Sequence, residues 1–239
     1  MPPQGAALLV DFDETASVDN VAEMLLARFA QDGWRDLRAR FRAGEITLRP
    51  YQERAFALVS ATTQEMAAHA AQNARLRPGF VELVASCAAS KVPVAVVSGG
   101  LDFYVEAVLS KNGLGHVPFF STGTRTQGGE LRFFYPGATS ACWQWGNCKC
   151  AVVQGFKQDG RRVIYFGDGR NDVCPAGKAD FVFARSRLLE HCQRNGLPHA
   201  PLEDFHQVMA AFQASGHPVH AELNGHHPSR APREEVIAG

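Results

Sequence analysis

Acidic side chains stand directly after an apolar segment near the start of the chain. The sequence "ALLV" (residues 7–10) is followed by Asp11, Asp13 and Glu14. Side chains alternate between the two faces of a strand, so Asp11 and Asp13 are expected to project to the same side. Carboxylates packed together away from water raise the free energy of a fold unless positive groups offset their charge. The pattern therefore predicts a site in which a cation meets these acids.

Three further segments bring polar residues or glycines to the end of an apolar run or to the start of a helix. The segments are "VAVVSGG" (94–100), "NCK" (147–149) and "RVIYFGDGRND" (162–172), and the residues they present are Ser98, Gly99, Lys149, Asp168, Asn171 and Asp172. Ligands of doubly wound sheets bind at the carboxyl ends of the strands. We therefore expect these residues to meet Asp11 and Asp13 at one edge of a sheet.

The carboxylates have the chemistry of a magnesium site. Asp11 and Asp168 can share a hard divalent cation such as Mg²⁺, which prefers oxygen ligands. Lys149, at the start of a predicted helix, would offset the remaining negative charge. Lys157, two turns further along that helix, is the alternative and is expected to be solvated. Asp172 follows Asp168 by four residues and is free to orient Lys149.

Hydroxyl groups and glycines in the same segments can hold a phosphate. Thr15, Ser98 and the backbone amides near Gly99 can donate hydrogen bonds to phosphate oxygens. Glycine also allows the backbone to approach a ligand closely. Each residue alone has an ordinary explanation as a strand-end or turn residue, since "DG" and "ND" are common turn dipeptides. Only the series as a whole predicts a phosphate site.

The elements that must position these residues are those of an α/β fold. Short apolar strands alternate with helices after residue 77, which is typical of a parallel sheet covered on both faces. We predict a Rossmann-like, doubly wound parallel sheet with strands at 6–13, 92–98, 117–122, 129–134, 162–168 and 181–184.

A helical insert follows the first strand. Residues 18–73 carry apolar side chains at three- and four-residue spacing with turn signals between them, which predicts a small module of three or four helices. The core is then predicted to comprise residues 1–17 and 74–214. Residues 215–239 are rich in His, Pro and Gly and have no periodicity, so they are predicted to be a disordered tail.

Composition excludes several classes of partner. The chain has 239 residues, with 24 basic and 24 acidic side chains. No basic stripe indicates nucleic acid, and no apolar run reaches the length of a membrane span. No signal peptide is recognised, so a cytoplasmic location is expected. Neither monomer nor homodimer is favoured by the sequence.

The six cysteines are expected to be reduced thiols rather than a disulfide framework. Cys142, Cys148 and Cys150 raise the question of a metal site. Their C-x5-C-x-C spacing fits no standard zinc pattern and no fourth ligand is evident, so ordinary thiols are the expected state and a metal site is the alternative. Cys174 is expected to be a small core residue.

Four segments of the chain stand in the order of the four motifs of the haloacid dehalogenase-like phosphohydrolases. They are "DFDET", "VVSGG", "NCK" and "GDGRND". The chain resembles that superfamily over residues 6–184. The insert at 18–73 is similar to its cap of the C1 type. Within the superfamily the chain looks most like one branch. That branch contains the 2-hydroxy-3-keto-5-methylthiopentenyl-1-phosphate phosphatases of methionine salvage and the phosphoethanolamine/phosphocholine phosphatases. Phosphoserine phosphatases commonly carry a substrate-binding Glu where this chain has Asn20.

The resemblance implies a role for each motif residue. Asp11 would attack phosphorus and form an aspartyl-phosphate, and Asp13 would serve as general acid and then as general base. Asp11, Asp168 and the carbonyl oxygen of Asp13 would bind Mg²⁺. The transferred phosphoryl group would be held by Thr15, Ser98, Gly99, Lys149 and Asn171, with Asp172 in support.

The resemblance also implies the reaction. Dehalogenases of the superfamily lack an acid at the position of Asp13 and its ATPases have Thr there, so Asp13 favours hydrolysis of a phosphomonoester of a small metabolite. Transfer to an acceptor other than water and a non-catalytic phosphate-binding module are the alternatives. Glu14 is expected to point away from the phosphate. The leaving group is not identified, and the residues that could contact it are Trp34, Arg38, Arg42, Tyr51, Arg54, Phe103, Tyr104, Trp143 and Trp145.

Overall fold

The computed structural model describes residue 3 and residues 5–214, so the tail predicted at 215–239 lies outside the described residues. Within them, seven strands form one sheet in the order β4-β3-β2-β1-β5-β6-β7. All neighbouring strands are parallel except β3 and β4. The strands are β1 (Ala6–Val10), β2 (Val94–Leu101), β3 (Phe119–Gln127), β4 (Glu130–Phe134), β5 (Arg162–Gly167), β6 (Phe181–Ala184) and β7 (His199–Pro201). This arrangement confirms the predicted doubly wound α/β fold.

Helices cover both faces of the sheet. They are α1 (Val21–Phe29), α2 (Trp34–Ala43), α3 (Leu48–Phe56), α4 (Thr63–Asn73), α5 (Phe80–Ala89), α6 (Asp102–Lys111), α7 (Lys149–Gln158), α8 (Val173–Ala176), α9 (Ser186–Asn195) and α10 (Phe205–Gln213). No helix in the described part of the chain is both long and apolar enough to cross a membrane.

The central strand shows why the sheet needs a layer of helices on each face. Every residue of β1 is buried. Leu8 and Val10 pack into one hydrophobic cluster and Leu9 packs into a second one on the opposite face. Burying a side chain of this size contributes about 1.5–3 kcal/mol, so both clusters favour the sandwiched position of β1. The fixed position of β1 determines where Asp11 emerges.

Helices α1 to α4 occupy the predicted insert. Asn20 caps α1, and Thr62 with Glu65 forms a capping box at the start of α4. The two ends of the insert meet in an antiparallel bridge between Ser17 and Leu76. Buried residues of these helices belong to the same hydrophobic cluster as one face of the sheet. The division into core and cap stays a prediction.

Some predicted strand boundaries are wrong for local reasons. The first strand was expected to reach residue 13 but ends at Val10, because the chain turns over Phe12–Ala16 with Glu14 at a φ of 59°. The strand expected at 117–122 extends to Gln127 because it continues into a hairpin with β4. The three-residue strand β7 was not predicted, since it is too short to carry a pattern.

The prediction that the cysteines are unpaired thiols is wrong for two of them. Cys150 and Cys174 form a disulfide, and Cys174 is exposed rather than part of the core. The sequence offered no signal for this pairing because 24 residues separate the two positions. Cys87, Cys142, Cys148 and Cys192 are free.

Candidate active site

Three parallel strands end side by side, and their ends carry the predicted site. Val10 of β1 is paired with Val96 of β2 on one side and Phe166 of β5 on the other. The Asp11 N–H donates to the Phe166 carbonyl at 2.9 Å, which continues the pairing by one residue. The C-terminal end of β2 and the segments that follow β1 and β5 therefore lie at one edge of the sheet, as expected from the sequence.

The turn after β1 folds back over Asp11. The N–H groups of Ala16 and Ser17 donate to the carbonyls of Asp11 and Phe12, at 3.1 and 2.8 Å. This turn places the buried hydroxyl of Thr15 3.4 Å from Asp11 Oδ2 and 3.4 Å from Asp168 Oδ1. These two carboxylate oxygens, from different strands, thus share one neighbour.

Lys149 provides the positive partner that the acids required. Its Nζ lies 2.5 Å from Asp11 Oδ1 and 2.7 Å from Asp172 Oδ1, and all three side chains are buried. Burial alone would lower the pKa of Lys149, but the two carboxylates outweigh it and raise the pKa, so the ammonium stays charged. Lys157 instead pairs with Asp180 at a partly exposed position.

Asp172 accepts four hydrogen bonds from groups around the site. Its Oδ1 accepts from Lys149 and from the Tyr165 hydroxyl at 2.7 Å each. Its Oδ2 accepts from the N–H groups of Asp168 and Gly169 at 3.1 and 3.0 Å. Both oxygens are therefore engaged by protein donors, and Asp172 fixes Lys149 and the loop that carries Asp168.

The remaining carboxylates carry more negative charge than Lys149 offsets. Burial and the charge of Asp172 raise the pKa of Asp11 to about 7 and that of Asp168 to about 9, although Lys149 opposes both shifts. Carboxylate oxygens of Asp11, Asp168 and Asp172 lie within 4.8 Å of one another. Such a set of hard oxygen donors fits a divalent cation. Since Asp172 is already satisfied, Asp11 and Asp168 are the side chains available to such an ion.

Asp13 is held separately, by two donors. The Val21 N–H donates to its Oδ1 and the buried Tyr104 hydroxyl donates to its Oδ2, at 2.7 Å each. Burial raises the pKa of Asp13 to about 6, and both hydrogen bonds limit that shift. Tyr104, which the sequence had placed among residues that could contact a leaving group, is thus bonded to Asp13.

The Ser98–Gly100 segment at the C-terminal end of β2 lies against the same turn. The Ser98 hydroxyl accepts from the Gly100 N–H at 2.8 Å, and the Gln52 side chain donates to the Gly99 carbonyl at 2.8 Å. A Cβ atom at Gly100 would collide with the Tyr104 hydroxyl, so only glycine allows this approach. Gln52 belongs to α3, and nothing in the sequence had identified it.

A cavity of about 300 Å³ opens above these groups. The residues predicted for the site that line it are Asp11, Asp13, Gly99, Asp168 and Asn171. The insert contributes Asn20, Ala22, Glu23, Phe41, Arg42, Leu48, Tyr51 and Gln52. Among the residues suggested for contact with a leaving group, Arg42, Tyr51 and Tyr104 line the cavity, whereas Trp34 is buried in the hydrophobic cluster and Arg54 is exposed.

Glu14 departs from its expected orientation. It lies in the cavity wall, where its carboxylate accepts from the Asn20 side chain at 3.0 Å and raises the pKa values of Asp13 and Asp168 as a minor contribution. The Glu14 carbonyl accepts from Arg77 and Arg185, at 2.7 and 3.0 Å. These two arginines hold the left-handed turn, and no local pattern identifies them because they lie 63 and 171 residues away.

A family model agrees with this fold and site. The model described as haloacid dehalogenase-like hydrolase matches residues 8–176. Among solved structures, a phosphoserine phosphatase determined as an analogue of its phospho-aspartyl intermediate superposes with a TM-score of 0.65 at 19% identity, covering 86% of this chain and 97% of that one. A substrate-bound phosphoserine phosphatase gives a TM-score of 0.64 at 19% identity, with the same two coverages. At this identity the likeness is one of fold.

The sequence similarity to curated relatives covers nearly the whole length of those relatives. A 2-hydroxy-3-keto-5-methylthiopentenyl-1-phosphate phosphatase from Geobacillus kaustophilus is 32% identical over 210 residues, which cover 86% of this chain and 94% of the relative. A protein of the same name from Brevibacillus brevis is 28% identical over 212 residues, again with 86% and 94% coverage.

Proposed function

This chain belongs to the haloacid dehalogenase-like hydrolase family, and we propose that it hydrolyses a small-metabolite phosphomonoester through an aspartyl-phosphate on Asp11. The match to the family model confirms the resemblance that the four sequence motifs indicated. Similarity to relatives named phosphatases, along nearly their full length, makes the chain a phosphoric monoester hydrolase. The observation that carries the proposal is the contact of Asp11 with Lys149, beside Asp168 and within reach of Asp13.

Asp11 is the proposed nucleophile. Lys149 lies on its Oδ1, where it can neutralise an incoming phosphoryl group and keep the carboxylate ionised. Attack forms a bond between this oxygen and phosphorus while the bond from phosphorus to the leaving oxygen breaks. Thr15, Ser98, the amide of Gly99 and Asn171 are proposed to orient the phosphoryl oxygens.

Asp13 is the proposed general acid and base. With a pKa raised to about 6, its carboxyl group can give a proton to the departing alkoxide. The carboxylate that results can then take a proton from the water that cleaves the aspartyl-phosphate. Tyr104 and Val21 fix the two oxygens of Asp13, which prevents the group from turning away between these steps.

Mg²⁺ fits the residues on this edge. Asp11 Oδ2 and Asp168 Oδ1, with the Asp13 carbonyl, would hold it, and when bound it supplies positive charge to the carboxylates and the phosphoryl oxygens. The raised pKa values of Asp11 and Asp168 support this assignment, because burial and the charge of Asp172 disfavour both carboxylates and a bound cation would offset that effect. Asp172 supports the site through Lys149.

The cavity supports a small substrate. Its volume of about 300 Å³ is at the lower end of the range for small-molecule pockets. The compound named in the relatives, 2-hydroxy-3-keto-5-methylthiopentenyl-1-phosphate, is the first to test, followed by phosphocholine, phosphoethanolamine and phosphoserine. We expect the enzyme to act in the cytoplasm, as a monomer or homodimer.

The test is a comparison of kcat/KM across these phosphomonoesters and p-nitrophenyl phosphate, with Mg²⁺ present. Asp11→Asn should reduce turnover to background while the melting temperature shows a folded chain. Asp159→Asn, at an exposed carboxyl group, is the matched control and should leave kcat/KM unchanged. Acid-quenched wild-type enzyme should carry one phosphoryl group by intact mass, absent from Asp11→Asn.

Two outcomes would overturn the proposal. Full activity of Asp11→Asn would remove it as the nucleophile. Failure of the wild type to hydrolyse any of these esters with Mg²⁺ would favour a non-catalytic phosphate-binding module. Product analysis with a competing alcohol separates hydrolysis from transfer, since a transferase would form the new ester in preference to free phosphate.

A further inference from the structure

A second group of side chains of a type that can bind metals lies beside the active-site carboxylates. The cysteine cluster consists of Cys142, Cys148, Cys150 and Cys174. The Sγ atoms of the first three lie within 4.8 Å of one another, and Cys150 is joined to Cys174. All four line a cavity of about 240 Å³ that also reaches Asn171. Three clustered sulfurs, with a fourth bonded to one of them, therefore line a cavity beside the site.

We propose that the cysteine cluster is a structural Zn²⁺ site with four thiolate ligands, occupied when the bond between Cys150 and Cys174 is reduced. Structural zinc sites are tetrahedral, with Zn–S distances of about 2.3 Å, so their sulfurs lie about 3.8 Å apart. Cys142, Cys148 and Cys150 already satisfy this within a small adjustment. Cys174 supplies the fourth ligand that the sequence pattern lacked.

The surroundings of the sulfurs favour an anionic metal centre. Cys148 is the N-terminal cap of α7, and the side chains of Thr139 and Cys142 lie against its sulfur. The first turn of a helix carries partial positive charge. Lys178 adds a positive charge near Cys142. Together these groups offset the charge of −2 that four thiolates and one zinc ion carry.

A zinc ion at the cysteine cluster would join segments that carry active-site residues. Within the described chain, the connection from β4 to α7 contains only a short 3₁₀ turn, Trp143–Trp145. Lys149 stands between two members of the cluster, and Asp172 lies two residues before a third. One ion would therefore fix both partners of the ion pair that positions Asp11. Structural zinc contributes directly to the stability of the segments it joins.

Zinc binding requires that the bond between Cys150 and Cys174 is reduced first, and the oxidation state of the zinc does not change. A cellular dithiol transfers two electrons and two protons to the sulfurs of Cys150 and Cys174, and the dithiol becomes a disulfide. The four protein thiols then release four protons as Zn²⁺ binds. Zinc has no redox role in this step.

The first experiment measures zinc in protein expressed with zinc and purified with a phosphine reductant. Mass spectrometry of the metal should find about one zinc per chain, as expected for a closed structural site. Cys148→Ser and Cys174→Ser should lose it, whereas Cys192→Ser, at a buried thiol outside the cluster, should keep it. Asp11→Asn should also keep it, which separates this site from the proposed magnesium site and makes the result independent of the proposed function.

The second experiment needs no variant and so does not depend on how the variants fold. Wild-type protein loaded with Co²⁺ should show the charge-transfer and visible bands of tetrahedral thiolate coordination. Protein that has been reduced, loaded with Zn²⁺ and then freed of reductant should expose all six cysteines to a thiol reagent once it is denatured with a chelator. A spectrum without thiolate bands, zinc at trace levels, or only four reactive thiols in the reduced and zinc-loaded sample would overturn the proposal, the last because it reports that the bond between Cys150 and Cys174 forms in preference to zinc coordination.

Discussion

Replacing Tyr104 by Phe tests how Asp13 is prepared for proton transfer. The Tyr104 ring is fully buried and packs against Phe12 and Phe103, with centroid distances of 6.1 and 5.7 Å. Phenylalanine keeps these contacts. Tyr104→Phe removes the hydrogen bond of 2.7 Å to Asp13 Oδ2, together with the contact of the hydroxyl with the Leu101 backbone.

The size of the effect on Asp13 follows from its hydrogen bond with the Tyr104 hydroxyl. A hydrogen bond to a charged group contributes about 1.5–3 kcal/mol. Because the bond favours the carboxylate form, its loss should raise the pKa of Asp13 further, by about 1–2 units at 1.36 kcal/mol per unit. The base form of Asp13 then becomes scarce near neutral pH, where hydrolysis of the aspartyl-phosphate requires it. The acidic limb of the kcat profile should shift to higher pH by the same amount.

The assay is kcat against pH for the wild type and Tyr104→Phe, with saturating substrate and Mg²⁺. Tyr135→Phe is the matched control, because its hydroxyl donates to Glu53 at 3.0 Å, outside the catalytic carboxylates. Thermal melting checks that each variant is folded. An unshifted limb in Tyr104→Phe, or an equal shift in Tyr135→Phe, would refute the assignment of Asp13 as the group whose protonation governs turnover.

Two further predictions concern the charges of the site. Lys149→Gln leaves Asp11 and Asp172 buried without their cation, so urea unfolding at neutral pH without Mg²⁺ should show a loss of about 3–5 kcal/mol, and a loss below about 1 kcal/mol would contradict the buried ion pair. Without a divalent cation, the raised pKa values of Asp11, Asp13 and Asp168 mean that the folded chain binds protons more tightly than the unfolded chain. Its free energy of unfolding should therefore fall as pH rises from near 3.8 towards the folded value of about 9 for Asp168. Mg²⁺ should raise the melting temperature more at alkaline than at acidic pH, and an effect independent of pH would argue against binding at these acids.

The sequence was most informative where chemistry and strand position coincide. Asp11, Asp168 and Lys149 could be predicted to meet because parallel strands bring their carboxyl ends to one edge, whatever the details of packing. Asp172 followed from its spacing to Asp168. These relations depend on the topology of the sheet, which the alternation of strands and helices indicates.

Other features depend on contacts that no local pattern contains. Tyr104 reaches Asp13 only because α6 packs beside the turn after β1, and Arg77 reaches the same turn from beyond the insert. The left-handed backbone at Glu14 is specified by these distant partners and not by its own residue type. Cys174 joins Cys150 across 24 residues for the same reason.

The bridge between Ser17 and Leu76 has a consequence for how this enzyme could be altered. Hydrogen bonds from Val18 to Arg75, at 2.9 Å, and from Arg77 to Ala16, at 2.8 Å, make the entry and exit of the insert two neighbouring rungs. Closing a loop costs little more when the loop is longer. Inserts of different length and sequence can therefore be joined to the core at the same two positions. Replacing the insert could change which substrate the enzyme prefers, while the strands that carry the catalytic residues keep their register.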